Sequence, residues 1–140
     1  MFSFHHVALS VRQLDVAVAW YAKLGFAEVY RWQAEDASLR IVQLKLGAVM
    51  LELFCFADNA DASAETSALF PHLRQLGPRH FGLQVGSVEA AREAMIRADM
   101  TTESVVITEG KTGVRYFFLR DPDGNFVEIL EDRRIFSAQP

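Results

Sequence analysis

Apolar residues recur along this chain with two different periods, and the two periods alternate in the same order twice. In His6-Val7-Ala8-Leu9-Ser10-Val11 the larger apolar residues fall at every second position, the mark of a half-buried strand. His80-Phe81-Gly82-Leu83-Gln84-Val85 repeats that pattern 74 positions later. Each segment is followed by a stretch of helical period. The first spans 14–24, where Leu14, Ala17, Val18, Tyr21 and Leu24 make one stripe and Gly25 stops the helix. The second spans 88–98, with Ser87 as its N-cap.

A strand pair closes each half. In the first it covers 39–46 and 49–56, joined tightly through Gly47. In the second it covers 114–120 and 126–131, joined by Asp121-Pro122-Asp123-Gly124-Asn125. Proline pre-sets φ at the first corner of that joint, and glycine permits positive φ later. Segments 28–32 and 103–108 supply one more strand each. The pattern predicts an α+β fold of two βαβββ modules forming a curved mixed sheet. Module 1 is expected at 4–57 and module 2 at 78–132, within a single domain of 1–140. Residues 58–77, rich in Ala, Ser and Asp, read as a linker with a short helix near 68–76.

Composition narrows the function classes. The 140 residues are 51% hydrophobic and 23% charged, a globular balance. Net charge is −4 and no basic cluster is longer than Arg133-Arg134, which argues against a nucleic-acid surface. No apolar run approaches the roughly 18 residues of a membrane span. Met1-Phe2-Ser3-Phe4-His5-His6 lacks the basic and apolar regions of a secretory leader. A cytoplasmic protein is expected. The single cysteine, Cys55, excludes an intramolecular disulfide and a cysteine-based zinc site, and reads as a small buried hydrophobe.

Polar residues of one type recur at matched places. Glu52 lies in the last strand of the first half and Glu128 in the last strand of the second, 76 positions on. Alternation puts His6 on a face with Ala8 and Ser10, and Glu52 with Met50 and Phe54. It puts His80 with Gly82 and Gln84, and Glu128 with Phe126 and Leu130. An ionised carboxylate is costly on a largely apolar strand unless it is paired or bound to a cation. No Lys or Arg shares those faces on the four ligand-bearing strands. Two neutral imidazoles and two carboxylates balance one divalent ion, and this thiolate-free donor set suits Zn, Ni, Co, Mn or Fe(II). The expectation is one divalent metal ion per site, held by His6, Glu52, His80 and Glu128, with Met50, Phe54, Phe126 and Leu130 lining the substrate pocket. His5 reads as a structural residue pointing away from His6, and His72 as a solvated linker residue. Trp20 and Tyr21 read as packing residues.

On these residues the sequence resembles the vicinal oxygen chelate superfamily, from His6 to Glu131. Further motifs carrying the likeness are Trp20-Tyr21 with Leu24-Gly25-Phe26, and Phe118-Leu119-Arg120-Asp121-Pro122-Asp123-Gly124-Asn125-Phe126-Val127-Glu128-Ile129. That superfamily includes glyoxalase I, methylmalonyl-CoA epimerase, extradiol dioxygenases, and fosfomycin and bleomycin resistance proteins. The order His6, Glu52, His80, Glu128 is similar to bacterial-type glyoxalase I, the lactoylglutathione-lyase-like group. Methylmalonyl-CoA epimerases tend to carry Gln at the place of Glu52, extradiol dioxygenases use two histidines and one carboxylate, and bleomycin binders typically lack the ligands. Two positions depart from glyoxalase I. Ser10 replaces an Arg and Phe56 an Asn that contact glutathione in the resembling enzymes, which counts against glutathione here. Arg12, Arg31, Arg40 and Arg115 stand as alternatives for holding an anionic substrate.

The resemblance implies a metal-dependent lyase or isomerase acting on a small α-oxygenated substrate. The ion would bind two vicinal oxygens and stabilise an enediolate, while Glu128 or Glu52 moves the proton. It also implies a homodimer with sites shared between subunits. Three alternatives stay open. One is a metal-dependent epimerase or thiol transferase with the same ligands. Another is an Fe(II) extradiol dioxygenase, and the last a non-catalytic ligand-binding dimer of the drug-resistance type.

Overall fold

Parallel pairing of its first strand with its last organises each half of the chain. The computed structural model describes residues 3–61 and 68–134. In chain order the elements are β1 (Val7–Ser10), α1 (Leu14–Lys23), β2 (Ala27–Gln33), β3 (Leu39–Leu46), β4 (Val49–Phe56), α2 (Leu69–Leu73), β5 (His80–Gln84), α3 (Val88–Arg97), β6 (Thr108–Glu109), β7 (Val114–Arg120) and β8 (Phe126–Asp132). They form two four-stranded sheets, β1-β4-β3-β2 and β5-β8-β7-β6. β1 runs parallel to β4 and β5 parallel to β8, while the other neighbours are antiparallel. This is the α+β arrangement of two βαβββ modules with mixed sheets. The chain divides into a first unit up to residue 64 that also takes in 121–123, and a second unit holding the rest. Within the expected linker, residues 62–67 lie outside the described residues, as do 1–2 and 135–140.

In the first unit the core forms on one face of the sheet. α1 buries Leu14, Ala17 and Tyr21, the stripe that the helical period predicts. The strands bury Val42, Leu44, Leu51 and Leu53 beneath it. Gly25, at φ +94°, turns the chain out of α1 in a conformation that costs glycine no Cβ clash. Tyr21 packs as expected but also works as a donor: its fully buried hydroxyl bonds Asp121 Oδ2 at 2.9 Å. Burial, then the charge of Asp121, pushes this phenol far above its usual range. Asp121 Oδ1 in turn accepts the N–H of Asp123 at 3.0 Å. Asp123 Oδ1 accepts the N–H of Arg12 at 2.9 Å, and burial holds its carboxyl above the usual carboxylate range.

The second unit repeats the plan with different end groups. Ser87 caps α3 as predicted, its Oγ accepting the N–H of Ala90 at 3.2 Å. Glu131, almost wholly buried, accepts the N–H of Val88 at 3.0 Å, so a carboxylate meets the positive end of the helix. Phe117, Leu119, Val127 and Ile129 fill the core beside Val88. The strand expected over 103–108 is a two-residue β6 at Thr108–Glu109 instead. Arg92 explains the shortfall. It donates to the carbonyls of Glu103 at 2.7 Å and Val105 at 2.9 Å, which withdraws both from a sheet ladder. His72 is half-buried rather than solvated. Its Nε2 donates to the Arg79 carbonyl at 2.6 Å, and its ring lies 4.9 Å from that of Phe126. Among the described residues no helix is long and apolar enough to cross a membrane.

Replacing Tyr21 with Phe deprives a buried carboxylate of this donor. The expected loss is about 1–3 kcal/mol, seen as a lower urea midpoint at unchanged m-value. An unchanged midpoint would remove the hydrogen bond from the account of stability.

Candidate functional site

β4 and β8 each carry a glutamate on the face turned away from the core. Along β4, Leu51, Leu53 and Cys55 are buried while Met50, Glu52 and Phe54 are half-buried. Along β8, Val127, Ile129 and Glu131 are buried, and Glu128 and Leu130 half-buried. The parallel neighbour sets Ala8 beside Glu52 and Gly82 beside Glu128. His80 opens β5 two residues earlier, so alternation returns its imidazole to the glutamate's face, diagonal to it, and His6, one residue ahead of β1, reaches Glu52 in the same way. His6 Nε2 lies 3.5 Å from Glu52 Oε2, and His80 Nε2 lies 3.3 Å from Glu128 Oε2. The carboxylates are the more enclosed partners, with side chains 16% and 17% exposed against 36% and 26% for the rings.

The surroundings of the two pairs differ. Glu52 Oε1 accepts a hydrogen bond from Gln43 Nε2 at 2.8 Å, across the register of β3 and β4. The matching partner of Glu128 is Phe118, which stands edge-on to His80 at 5.0 Å. Glu128 thus lacks the amide donor that Glu52 has. Gly82 keeps space open beside it. A Cβ there would come within 2.8 Å of Leu130 Cδ2 and 3.4 Å of Glu128 Oε2. His5 does not point away from His6. β1 begins only at Val7, so alternation does not extend to His5. The two Nδ1 atoms are 2.9 Å apart, one donating to the other, which leaves Nε2 of His6 on the Glu52 side.

The expected lining residues Met50, Phe54 and Leu130 are half-buried on these faces, and Phe126 is buried. Phe126 packs against Phe118 at 5.7 Å and beneath the Arg120 guanidinium at 4.0 Å. Register adds Ile41, Tyr30 and Trp32 to the face of Glu52. These, with Gln43 and Phe118, are the site-face residues that sequence reading missed. The signal for them was cross-strand pairing, which needs the register and not only the alternation.

The four arginines considered for an anionic substrate are otherwise engaged. Arg12 pairs with Asp61. Arg31 pairs with Glu28 at 2.8 Å and Asp15 at 2.9 Å. Arg115 pairs with Glu89 and Glu109, and Arg40 reaches Cys55 Sγ at 3.2 Å. Arg31, Arg40 and Arg115 lie opposite Val42, Cys55 and Glu131, on the core face of their sheets. A groove of about 450 Å³ lined by Val16, Ala19, Trp20 and Pro122 follows α1 and contains none of the predicted ligands.

Among the described residues no group of three or more His, Cys, Asp or Glu gathers in one place. Within each unit the predicted ligands form one pair, His6 with Glu52 and His80 with Glu128. Each pair offers an imidazole nitrogen and a carboxylate oxygen side by side, with no competing cation among its recorded partners. That donor set fits a first-row divalent ion.

Known proteins share this plan. The family model described as the Glyoxalase/Bleomycin resistance protein/Dioxygenase superfamily matches residues 3–129. The chain is 29% identical over 147 aligned residues to the 2-epi-5-epi-valiolone epimerase of Actinomyces sp, covering 90% of this chain and 77% of that protein. The glyoxalase family protein from Enterococcus faecalis superposes with a TM-score of 0.75 at 25% identity, over 92% of this chain and 97% of that one. The lactoylglutathione lyase from Agrobacterium tumefaciens superposes with a TM-score of 0.62 at 26% identity, over 92% of each chain.

The imidazoles are the most open members of the two pairs. Replacing His6 or His80 with Ala is expected to change folding stability by no more than about 0.5 kcal/mol. A loss above about 2 kcal/mol in urea denaturation would make either histidine a structural residue.

Proposed function

The chain belongs to the Glyoxalase/Bleomycin resistance protein/Dioxygenase superfamily, and from that premise we propose that it is a divalent-metal-dependent lyase or isomerase acting on a small α-oxygenated substrate. The observation that carries this reading is the twofold His–Glu pairing, His6 with Glu52 and His80 with Glu128, on the open faces of the two sheets. These four side chains would hold the ion, which is Ni, Zn, Co, Mn or Fe. When bound, such an ion supplies positive charge that favours negative charge building on substrate oxygens.

The protein's own groups have distinct parts. Glu52 is tied to Gln43, which fixes its carboxylate in one orientation. Glu128, without that tie, is the better placed of the two to take a proton from one carbon and deliver it to the adjacent one. Met50, Phe54, Phe126 and Leu130 exclude water and so strengthen every charge interaction at the site. We take the protein to be a cytoplasmic homodimer, in which a second copy supplies the pair that completes each site. Each unit by itself carries one imidazole and one carboxylate of the four, which supports that reading.

A metal-dependent epimerase is the second reading, favoured by the relation to the Actinomyces epimerase. It uses the same residues, and differs in delivering a proton to the opposite face of the carbon that lost one, not to the neighbouring carbon. Phe56, which replaces a glutathione-contacting Asn of the resembling lyases, stacks on Phe54 at 6.1 Å and offers no polar group. Glutathione as co-substrate is therefore not part of the proposal.

Elemental analysis is expected to find about one first-row divalent metal per chain, absent from the Glu52→Ala/Glu128→Ala variant. No metal after reconstitution with a panel of divalent ions would sink the enzymatic reading in favour of a ligand-binding dimer. With glyoxalase and epimerase substrates in hand, Glu128→Gln is expected to abolish turnover while weakening metal binding less than His80→Ala does. Undiminished turnover in Glu128→Gln would take Glu128 out of the proton-transfer role.

A further inference from the structure

The rows that run across each sheet place one more chemical group near each pair. In the first unit, extending the β1–β4 register back by one residue sets His6 beside Met50. Met50 pairs with Lys45 on β3, and Lys45 with Ala27 on β2. In the second unit His80 pairs with Phe126, and Phe126 with Arg120. Both units thus read imidazole, apolar residue, cation along one row. Two strand spacings separate imidazole from cation, about 10 Å between backbones. Val42 and Leu44 are buried on the core face, so Gln43 and Lys45 share the opposite one, and Gln43 touches Glu52 there.

The two cations are held differently. The Arg120 guanidinium lies over the Phe126 ring at 4.0 Å and donates to the Gly124 carbonyl at 3.3 Å. Lys45 is exposed, with small or apolar cross-strand neighbours in Ala27 and Met50, and its side chain makes no ion pair or hydrogen bond among the described residues. The arginines that would compete for an anion on this sheet, Arg31 and Arg40, face the core side. Charge also sets a demand. Two carboxylates balance a divalent ion, so the ammonium of Lys45 is not taken up by the ligands and stays available to an anionic substrate group.

We propose that Lys45 is a substrate-binding residue that recognises an anionic oxygen group, carboxylate or phosphate, which the substrate carries beyond its two vicinal oxygens and across Met50. This rests on the metal-dependent reading above and narrows its substrate class to anionic α-oxygenated compounds. An ammonium on a flexible stem suits this task, since it acts as a point charge with rotatable donors.

Isothermal titration of the Ni(II)-loaded protein with three hydroxamates tests the role without requiring turnover. Acetohydroxamate chelates without a second anion, malonomonohydroxamate adds a carboxylate, and phosphonoacetohydroxamate adds a phosphonate. Wild type is expected to bind one of the anionic pair roughly three- to five-fold tighter than acetohydroxamate at low salt, the scale of an exposed charge pair. Which of the two is preferred tells carboxylate from phosphate. Lys45→Met is expected to lose the preference while keeping its Ni(II) content and its affinity for acetohydroxamate. Lys45→Arg should retain most of the preference, and about 0.5 M salt should erase it in wild type. An equal preference in Lys45→Met, or none in wild type, overturns the role of Lys45 and leaves the metal reading standing. A protein that holds no Ni(II), or whose Ni(II) takes up none of the three probes, fails at the metal reading and takes the role of Lys45 with it.

Discussion

Strand register, fixed by one packed face of each sheet, is the constraint on which the rest of this structure depends, the placing of a carboxylate on the other face included. Glu52 and Glu128 expose 16% and 17% of their side chains, too little for water alone to compensate an ionised group cheaply. Beside each stands a histidine of the parallel neighbour, on the same face and two residues before the register partner of the glutamate. A slip of one residue between β1 and β4 would turn His6 and Ala8 to the core and bring Val7 and Leu9 to the carboxylate. What prevents the slip is the opposite face, where Leu51 and Leu53 pack with no exposure at all. The site thus inherits its geometry from the hydrophobic core.

The repeat is strict in backbone and loose in side chains, and the differences are informative. At one core-face position module 1 has Arg40 opposite Cys55, and module 2 has Arg115 opposite Glu131. Only module 2 thereby gains a carboxylate at the start of its helix, where it accepts the Val88 N–H. Cys55 instead lies 3.4 Å from the Arg12 carbonyl, a weak sulfur contact. On the open face, Gln43 ties down Glu52 while Phe118 leaves Glu128 without an amide donor. Two glutamates that look equivalent in the sequence therefore sit in unequal surroundings, and the proposed division between holding an ion and moving a proton rests on that inequality.

Periodicity was enough to read most of the fold. β3, β4 and β7 fall at their expected limits, and α1 and α3 differ from theirs by one residue at the C-terminal end. The strand over 103–108 did not survive because Arg92 captures its carbonyls, a tertiary effect invisible to local pattern. His72 was misread for a similar reason, its environment being set by Phe126 and the Arg79 carbonyl. Within the candidate site, both His–Glu pairs were legible because alternation and repetition are local properties. Gln43, Phe118 and His5 were not. The first two need the cross-strand register, and His5, two residues ahead of β1, is placed by its hydrogen bond to His6 and not by a strand.

Each sheet therefore has one face that determines stability and another free to carry chemistry. On the core face of the first unit, Val42, Leu44, Leu51 and Leu53 are fully enclosed, and any change of volume would be felt. On the other, Tyr30, Trp32 and Phe56 remain exposed around His6, Glu52, Gln43 and Lys45. Substitution there changes charge, ligands and shape at little cost to the fold, because the register is held from behind. A superfamily whose description joins glyoxalases, resistance proteins and dioxygenases is what such a separation of faces would produce. For this chain, chemistry has to be argued from the polar residues of the open face, since the residues that make the fold carry none of it.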